Sequence, residues 1–322
     1  MDSFFVGLDV GGTSVRIASY DDSVNSIPDV KKVTFKRLGD ARQEVDKNIC
    51  ELISAIVNEK SQENKMLRGI GLSLAALFDR ISGEISMWPN NKVWDGFPLK
   101  KYLMEKFKVP VLMEDDANSA ALGEHFAGAG KGYCNLAYIT VSTGVGCGLI
   151  LNNSLYTGSN GWAGEIGHIK VAEDGLLCRC GNNGCLQSLV SGPALLEKIN
   201  KIKISKGWEG FDTLDLKDVV NLACQGDKDA YGIFYEAGVH IGRMITNIVM
   251  LLDISLVILG GGVTGAGDLL LKPINKTLND CLKHFKRNVE IKKSELGDSN
   301  GAIGALSLIY RQFNCGRLIQ VK

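Results

Sequence analysis

Two α/β domains built on one repeated plan are what this 322-residue chain predicts, and three observations carry the prediction. The chain is longer than one ordinary hydrophobic core serves, and 45% of its residues are hydrophobic, with 38 glycines. Short apolar runs of strand type alternate with stretches of helical spacing. A strand–glycine-turn–strand unit near the N-terminus returns about 130 residues later. In order, "FFVGLDV" (4–10) is almost continuously apolar and ends at Gly11-Gly12, so it reads as a buried strand joined by a tight turn to a second strand, "SVRIASYD". Val45, Ile49, Leu52, Ile53, Ile56 and Val57 give helical spacing over 41–66. "LRGIGLSLAAL" is a further core strand, and "VPVLMEDDANSAALGEHFAGAG" runs strand, acidic turn, helix. "LAYITVSTGVGCGLIL" repeats the first hairpin, "LVILGGGVTGAG" sets a glycine loop after a buried strand, and "GAIGALSLIYRQF" closes the chain as a helix. The boundary is placed near 120. The first domain takes 1–120 with about 301–322, and the second takes 121–300.

Composition restricts the function. The 36 acidic and 36 basic residues balance and form no long basic run, so the chain lacks the electrostatic footprint of a nucleic-acid or membrane-surface binder. A small ligand fits better. The longest apolar region, 248–259, is interrupted by Asp253 and runs into three glycines, which reads as a helix end, a turn and a strand, not a membrane span. Nine cysteines, an odd number and mostly scattered, with no signal peptide before Phe4, lead us to expect a reducing cytoplasm.

The glycine turns carry the first chemistry. Asp9 ends a strand beside a turn with Gly11, Gly12 and the hydroxyl of Thr13, the parts that phosphates and their Mg²⁺ use. A plain hairpin would place Gly-Gly there as well. The second turn, Ser142 to Gly148, offers Thr143, Gly144 and Gly146, and two such turns on matching strand pairs weigh more than one. Neither turn fits a Walker or dinucleotide pattern. The third, with Gly261 and Gly262, could lie flat against a nucleotide or simply connect a strand to a helix. Glu114, Asp115 and Asp116 follow a buried strand; three adjacent carboxylates repel unless a cation or a hydrogen-bonding ligand lies among them.

Cys178, Cys180 and Cys185 form C-x-C-x4-C, with His168 ten residues before the first. Three thiolates and an imidazole make a closed tetrahedral set for structural Zn²⁺, and "GNNG" supplies the turn that gathers them. Glu165 stands three residues before His168, so zinc on one ring nitrogen leaves the other to meet a ligand shared with Glu165.

Together "LDVGGTSVR", "EDDANSAALGE", "VSTGVGCG", "GWAGEIGH" and "CRCGNNGCLQSLVSG" resemble the ROK family (repressors, open reading frames and kinases) from about residue 4 to residue 312. The resemblance implies an actin-like ATPase fold of the ribonuclease H-like, hexokinase type, two α/β domains with an interdomain cleft. It implies ATP- and Mg²⁺-dependent phosphorylation of a hexose at its 6-hydroxyl, and commonly a homodimer. Residue by residue it makes Asp116 the catalytic base. Asp9, Gly11, Gly12, Thr13, Thr143, Gly144, Gly146, Gly261 and Gly262 become phosphate and ATP contacts. Ala76, Asn90, Asp115, Glu165, His168 and Gln187 line the sugar, while the cluster at 164–187 is a zinc-binding insertion. Members usually carry Asn at 115, Glu at 187 and Pro-Gly at 75–76. The chemistry is therefore expected to be retained and the sugar to be altered, with allose, glucose and N-acetylmannosamine as candidates and glucose not expected to be best. Sugar-sensing repressors of the family carry a helix-turn-helix before the first phosphate motif. Here that motif begins at Asp9, so the regulator reading is disfavoured.

Overall fold

The computed structural model describes residues 2–11, 14–21, 29–34, 46–88, 92–173, 176–207, 214–285 and 287–313. The chain divides into two compact units, Met1–Gly132 with Glu295–Lys322, and Tyr133–Ser294.

In the first unit, strand β1 (Asp2–Val10) is buried along most of its length and pairs antiparallel with β2 (Ser14–Asp21), which pairs antiparallel with β3 (Asp29–Thr34). Helix α1 (Glu51–Gln62) buries Ile53 and Ile56, and Ile49 is buried in the wide helical turn Asp46–Cys50 just before it. The spacing predicted a start at 41; residues 41–45 lie outside the described residues. Strand β4 (Lys65–Leu74) runs parallel to β1, and the short pair β5 (Leu77–Phe78) and β6 (Ile85–Met87) follows it. Helix α2 (Leu99–Phe107) leads to β7 (Val111–Asp115), parallel to β4, and α3 (Asp116–Ala127) begins at the very next residue.

The second unit repeats the plan. Strands β8 (Leu136–Val141), β9 (Val145–Leu151) and β10 (Ser154–Leu155) are an antiparallel series. Helices α4 (Gln187–Val190), α5 (Gly192–Ser205), α6 (Leu216–Cys224) and α7 (Lys228–Leu252) precede β11 (Leu256–Gly260), which lies parallel to β8. Helix α8 (Asp268–Leu282) and strand β12 (Glu290–Lys293) complete it, and α9 (Asn300–Phe313) belongs to the first unit. The sheets read β3-β2-β1-β4-β7 and β10-β9-β8-β11-β12, so in both the first strand is central, with an antiparallel meander of two strands on one side and two parallel strands on the other. The duplication legible in the two glycine turns thus extends to the whole topology.

The cuts fall at 132/133 and 294/295, where 120 and 300 were expected. Helix α3 stays with the first unit because it packs backbone to backbone on α9: a Cβ at Gly304 would sit 1.6 Å from the Ser119 carbonyl oxygen, and one at Gly123 would sit 2.2 Å from that of Asn300. No larger residue fits either position without parting the helices. Among the described residues, no helix is long and apolar enough to cross a membrane.

Among the described residues of the second unit, one charged side chain is buried. The side chain of Lys203 on α5 is 2% exposed and ion-paired to Asp227 and, at 3.5 Å, to Asp229. Asp227 also caps α7, accepting from the amides of Asp229 and Ala230. Truncating such a cation loses packing and strands its partner, so Lys203→Ala should destabilise the unit by about 3 kcal/mol, and Lys203→Met, which keeps the volume, by less. The shift of the guanidinium midpoint checks both. An unchanged midpoint for Lys203→Ala would contradict the assignment.

Candidate functional site

In the first unit the acids gather where the parallel strands end, the edge at which open α/β sheets bind ligands. Strand register aligns Asp9 with Ser73 and Ser73 with Glu114. Ser73 donates from Oγ to Asp9 Oδ1 at 2.9 Å. Arg16, opposite Asp9 in the β1–β2 hairpin, holds its NH1 3.6 Å from Asp9 Oδ2 and pairs with Asp298 at 2.6 Å. Gly301, in the first turn of α9, faces the Asp9 carboxyl so closely that a Cβ there would lie 2.7 Å from its Cγ. Burial, with the charge of Asp116 adding to it, pushes Asp9 up to about 6, against the opposing effects of Ser73 and Arg16.

Asp116 is exposed at the first turn of α3, its Oδ1 accepting from the Ala117 amide. The neighbouring acids are engaged differently. Arg80 grips Glu114 through two 2.7 Å bonds and reaches Asp115 at 3.5 Å. Asp115 caps α3 by accepting from the Asn118 amide at 2.8 Å, and Asn118 Nδ2 donates to its Oδ2 at 2.6 Å. Burial, then the charge of Glu114, holds the Asp115 carboxyl well above the usual carboxylate range. Arg80 and Asn118, neither singled out in the sequence, offset the mutual repulsion read from the acidic triplet only in part. Ala76 lies between β4 and β5 against the first unit's core.

Some amides of the glycine turns are taken up within the turns themselves. The Gly11 amide donates to the Ser14 carbonyl at 3.0 Å, closing the first turn, and the Ser142 amide donates to the carbonyl of Gly144 at 2.9 Å. Gly12, Thr13 and Asn90 lie outside the described residues. Thr143 and Gly144 form the second turn, and Gly146 is already in β9 opposite Thr140. Gly261 has φ +87°, and a Cβ there would meet the Val141 carbonyl oxygen at 2.3 Å. That glycine is needed for the backbone to pass the end of β8. Gly262, the start of a short 3₁₀ turn, has open space where a Cβ would be.

In the second unit "GEIGH" lies flat on β9. Gly164 has φ +95°, and a side chain there would strike the Cys147 carbonyl oxygen; Ile166 is buried beneath. This turns Glu165 and His168 outward together, with Glu165 Oε2 3.9 Å from His168 Nε2. The other ring nitrogen, Nδ1, is 3.5 Å from Cys178 Sγ. Cys180 and Cys185 place their sulfurs 3.6 Å apart, and the four ligand atoms all lie within 4.8 Å of one another. Zinc bonds of about 2.3 Å to sulfur and about 2.0 Å to nitrogen in a tetrahedron set ligand atoms roughly 3.5 to 3.8 Å apart, so the donor set fits such an ion in both chemistry and spacing. The Asn182 amide and the neighbouring cysteine and histidine groups bring Cys180 down to about 6, whereas burial pushes Cys185 up to about 12. Gln187, expected among the sugar contacts, donates from Nε2 to Cys178 Sγ at 3.2 Å.

Two units that each wrap a 3-2-1-4-5 sheet, one ending its parallel strands in acids, define the actin-like ATPase class. A match to the ROK family extends over residues 5–312, and the chain belongs to that family. It is 34% identical to a glucokinase of Halalkalibacterium halodurans over 97% of either chain. It is 29% identical to a xylose repressor of Caldicellulosiruptor bescii, over 85% of this chain and 70% of that one. The crystal structure of a ROK family glucokinase from Streptomyces griseus in complex with glucose and AMPPNP superimposes with a TM-score of 0.74 at 30% identity, over 95% of this chain and 98% of that one.

Proposed function

We propose that the protein is an ATP-dependent sugar kinase that phosphorylates a hexose at its 6-hydroxyl. The observation that carries the reading is the placement of two acids where the first unit's parallel strands end: Asp9, held by Ser73 and Arg16, and Asp116, exposed at the start of α3. Similarity to a glucokinase whose structure holds glucose and AMPPNP supports it. In this reading the sugar oxygen attacks the γ-phosphorus, its proton passes to Asp116, and the bond to the departing ADP breaks. Magnesium ion neutralises the phosphate charge. Asp9 would orient it, and the turns at Gly11–Thr13 and Thr143–Gly146 would hold the phosphates. Glu165 and His168 would hydrogen-bond sugar hydroxyls. Phosphorus NMR of the product tests the position: coupling to the two C6 protons is expected, and a phosphate at the anomeric carbon would refute it.

Zinc is proposed for the cluster of His168, Cys178, Cys180 and Cys185, with a structural role, since four protein ligands leave no open position. Bound there through Nδ1, it would fix the His168 ring and aim Nε2 at the ligand. Protein purified without added metal should carry about one zinc per chain, and its removal should raise the sugar KM about tenfold or more. Elemental analysis showing no zinc, with full activity in chelator, would refute this.

The similarity to a xylose repressor favours one second reading, a sugar sensor. A sensor needs the sugar contacts but has no use for the Asp9–Asp116 pair, and it would bind sugar without releasing ADP.

A further inference from the structure

We propose that Gln187 couples the cysteine–histidine cluster to the Ser142–Gly146 turn, so that nucleotide bound at the turn slows metal release from the cluster. This rests on the readings of the turn as a phosphate site and the cluster as a zinc site. Gln187 opens α4, two residues after Cys185. One end of its carboxamide, Nε2, donates to Cys178 Sγ at 3.2 Å. The other end, Oε1, lies 3.3 Å from the position a Cβ on residue 144 would take. A carboxamide is planar and rigid, with its donor and acceptor at opposite corners, so a shift at one end moves the other.

The same segment bonds to the turn directly: the Gly192 amide, just beyond α4, donates to the Ser142 carbonyl at 2.8 Å. One short stretch, from Cys185 to Gly192, therefore holds the turn at Ser142 and sets a carboxamide oxygen beside Gly144. Cys178 is buried, and a buried thiolate needs hydrogen-bond donors. The amide supplies one, which a carboxylate at 187 could not. The departure from the family's usual Glu thus has a use: it commits residue 187 to the cluster. Partners that hydrogen-bond metal ligands typically change metal affinity 10- to 100-fold. A nucleotide that fixes the turn fixes the carboxamide against Cys178. By linkage, metal must then strengthen nucleotide binding by the factor by which nucleotide strengthens metal binding.

The test is transfer of zinc from the purified holoprotein to a chromogenic chelator, with and without saturating Mg²⁺·ADP, alongside calorimetric binding of Mg²⁺·ADP. In the wild type, nucleotide should slow zinc release at least about fivefold. Gln187→Leu should release zinc about tenfold faster and lose the nucleotide effect. Gly144→Ala, whose new methyl displaces the carboxamide without touching any cysteine, should do the same. A merely structural Gln187 would speed release but leave the nucleotide effect intact. Nucleotide binding with no effect on wild-type release, or variants that keep the wild-type response, overturns the coupling alone. No nucleotide binding overturns the phosphate-site reading with it, and a protein that binds no zinc overturns the metal reading with it.

Discussion

Asp116→Asn should lower kcat by at least about 10²-fold, the usual size of a general-base effect, while sugar binding persists. The site explains why this acid, of three in a row, is the one to choose. Glu114 is buried and gripped at both oxygens by Arg80, and Asp115 spends its carboxylate on the Asn118 amide and side chain. Asp116 is exposed at the start of α3, where a hydroxyl can approach it. Amide replacement keeps the shape and one acceptor oxygen but cannot take a proton, so the loss should fall on kcat far more than on the sugar Kd. Single-turnover kinetics and sugar titration of the variant separate the two. Turnover near the wild-type rate would remove Asp116 from the role of base.

Asp9→Asn should abolish most activity and yet make the protein more stable at neutral pH. Burial raises the Asp9 carboxyl from 3.8 to about 6. The folded state therefore holds this proton more tightly than the unfolded chain, and stability falls as pH rises from about 4 to about 6. Above that range the charged group costs on the order of 3 kcal/mol, which asparagine does not incur. The variant's gain should thus be absent at pH 4 and complete by pH 7, readable as a pH-dependent difference in Tm. The same proton competes with Mg²⁺, so below about pH 6 the wild type's apparent Mg²⁺ affinity should fall by up to about tenfold per pH unit. A variant less stable at pH 7 than at pH 4, relative to wild type, would show that Asp9 is not strained by burial.

Much of the fold was legible because its signals are local. "FFVGLDV" is apolar on both faces and becomes a central strand, and the acidic turn after "VPVLM" sits at a strand end before a helix. The four metal-type ligands lie within 18 residues and come together in space. What escaped depended on tertiary contact. The hairpin register that sets Arg16 opposite Asp9 could have been counted from the short turn. Ser73 becomes a partner of Asp9 only once β4 lies beside β1, and Arg80 meets Glu114, 34 positions further along the chain. Helix α3 was cut from its unit because nothing local shows that Gly123 and Gly304 let α3 and α9 touch. Gln187 follows Cys185 by two residues, but its bond to Cys178 depends on how the knuckle folds back.

Release of ADP from ATP and Mg²⁺, measured as kcat/KM over glucose, mannose, allose, fructose, N-acetylglucosamine and N-acetylmannosamine, tests the kinase reading most directly. Sugar-dependent ADP release is expected with at least one aldohexose of the panel, lost in Asp116→Asn, with a sugar other than glucose as the best substrate. Sugar binding with no ADP release for any member would contradict the kinase reading and leave the sensor. A wide preference for glucose would keep the kinase and show that Ala76, Asp115 and Gln187 do not set its specificity.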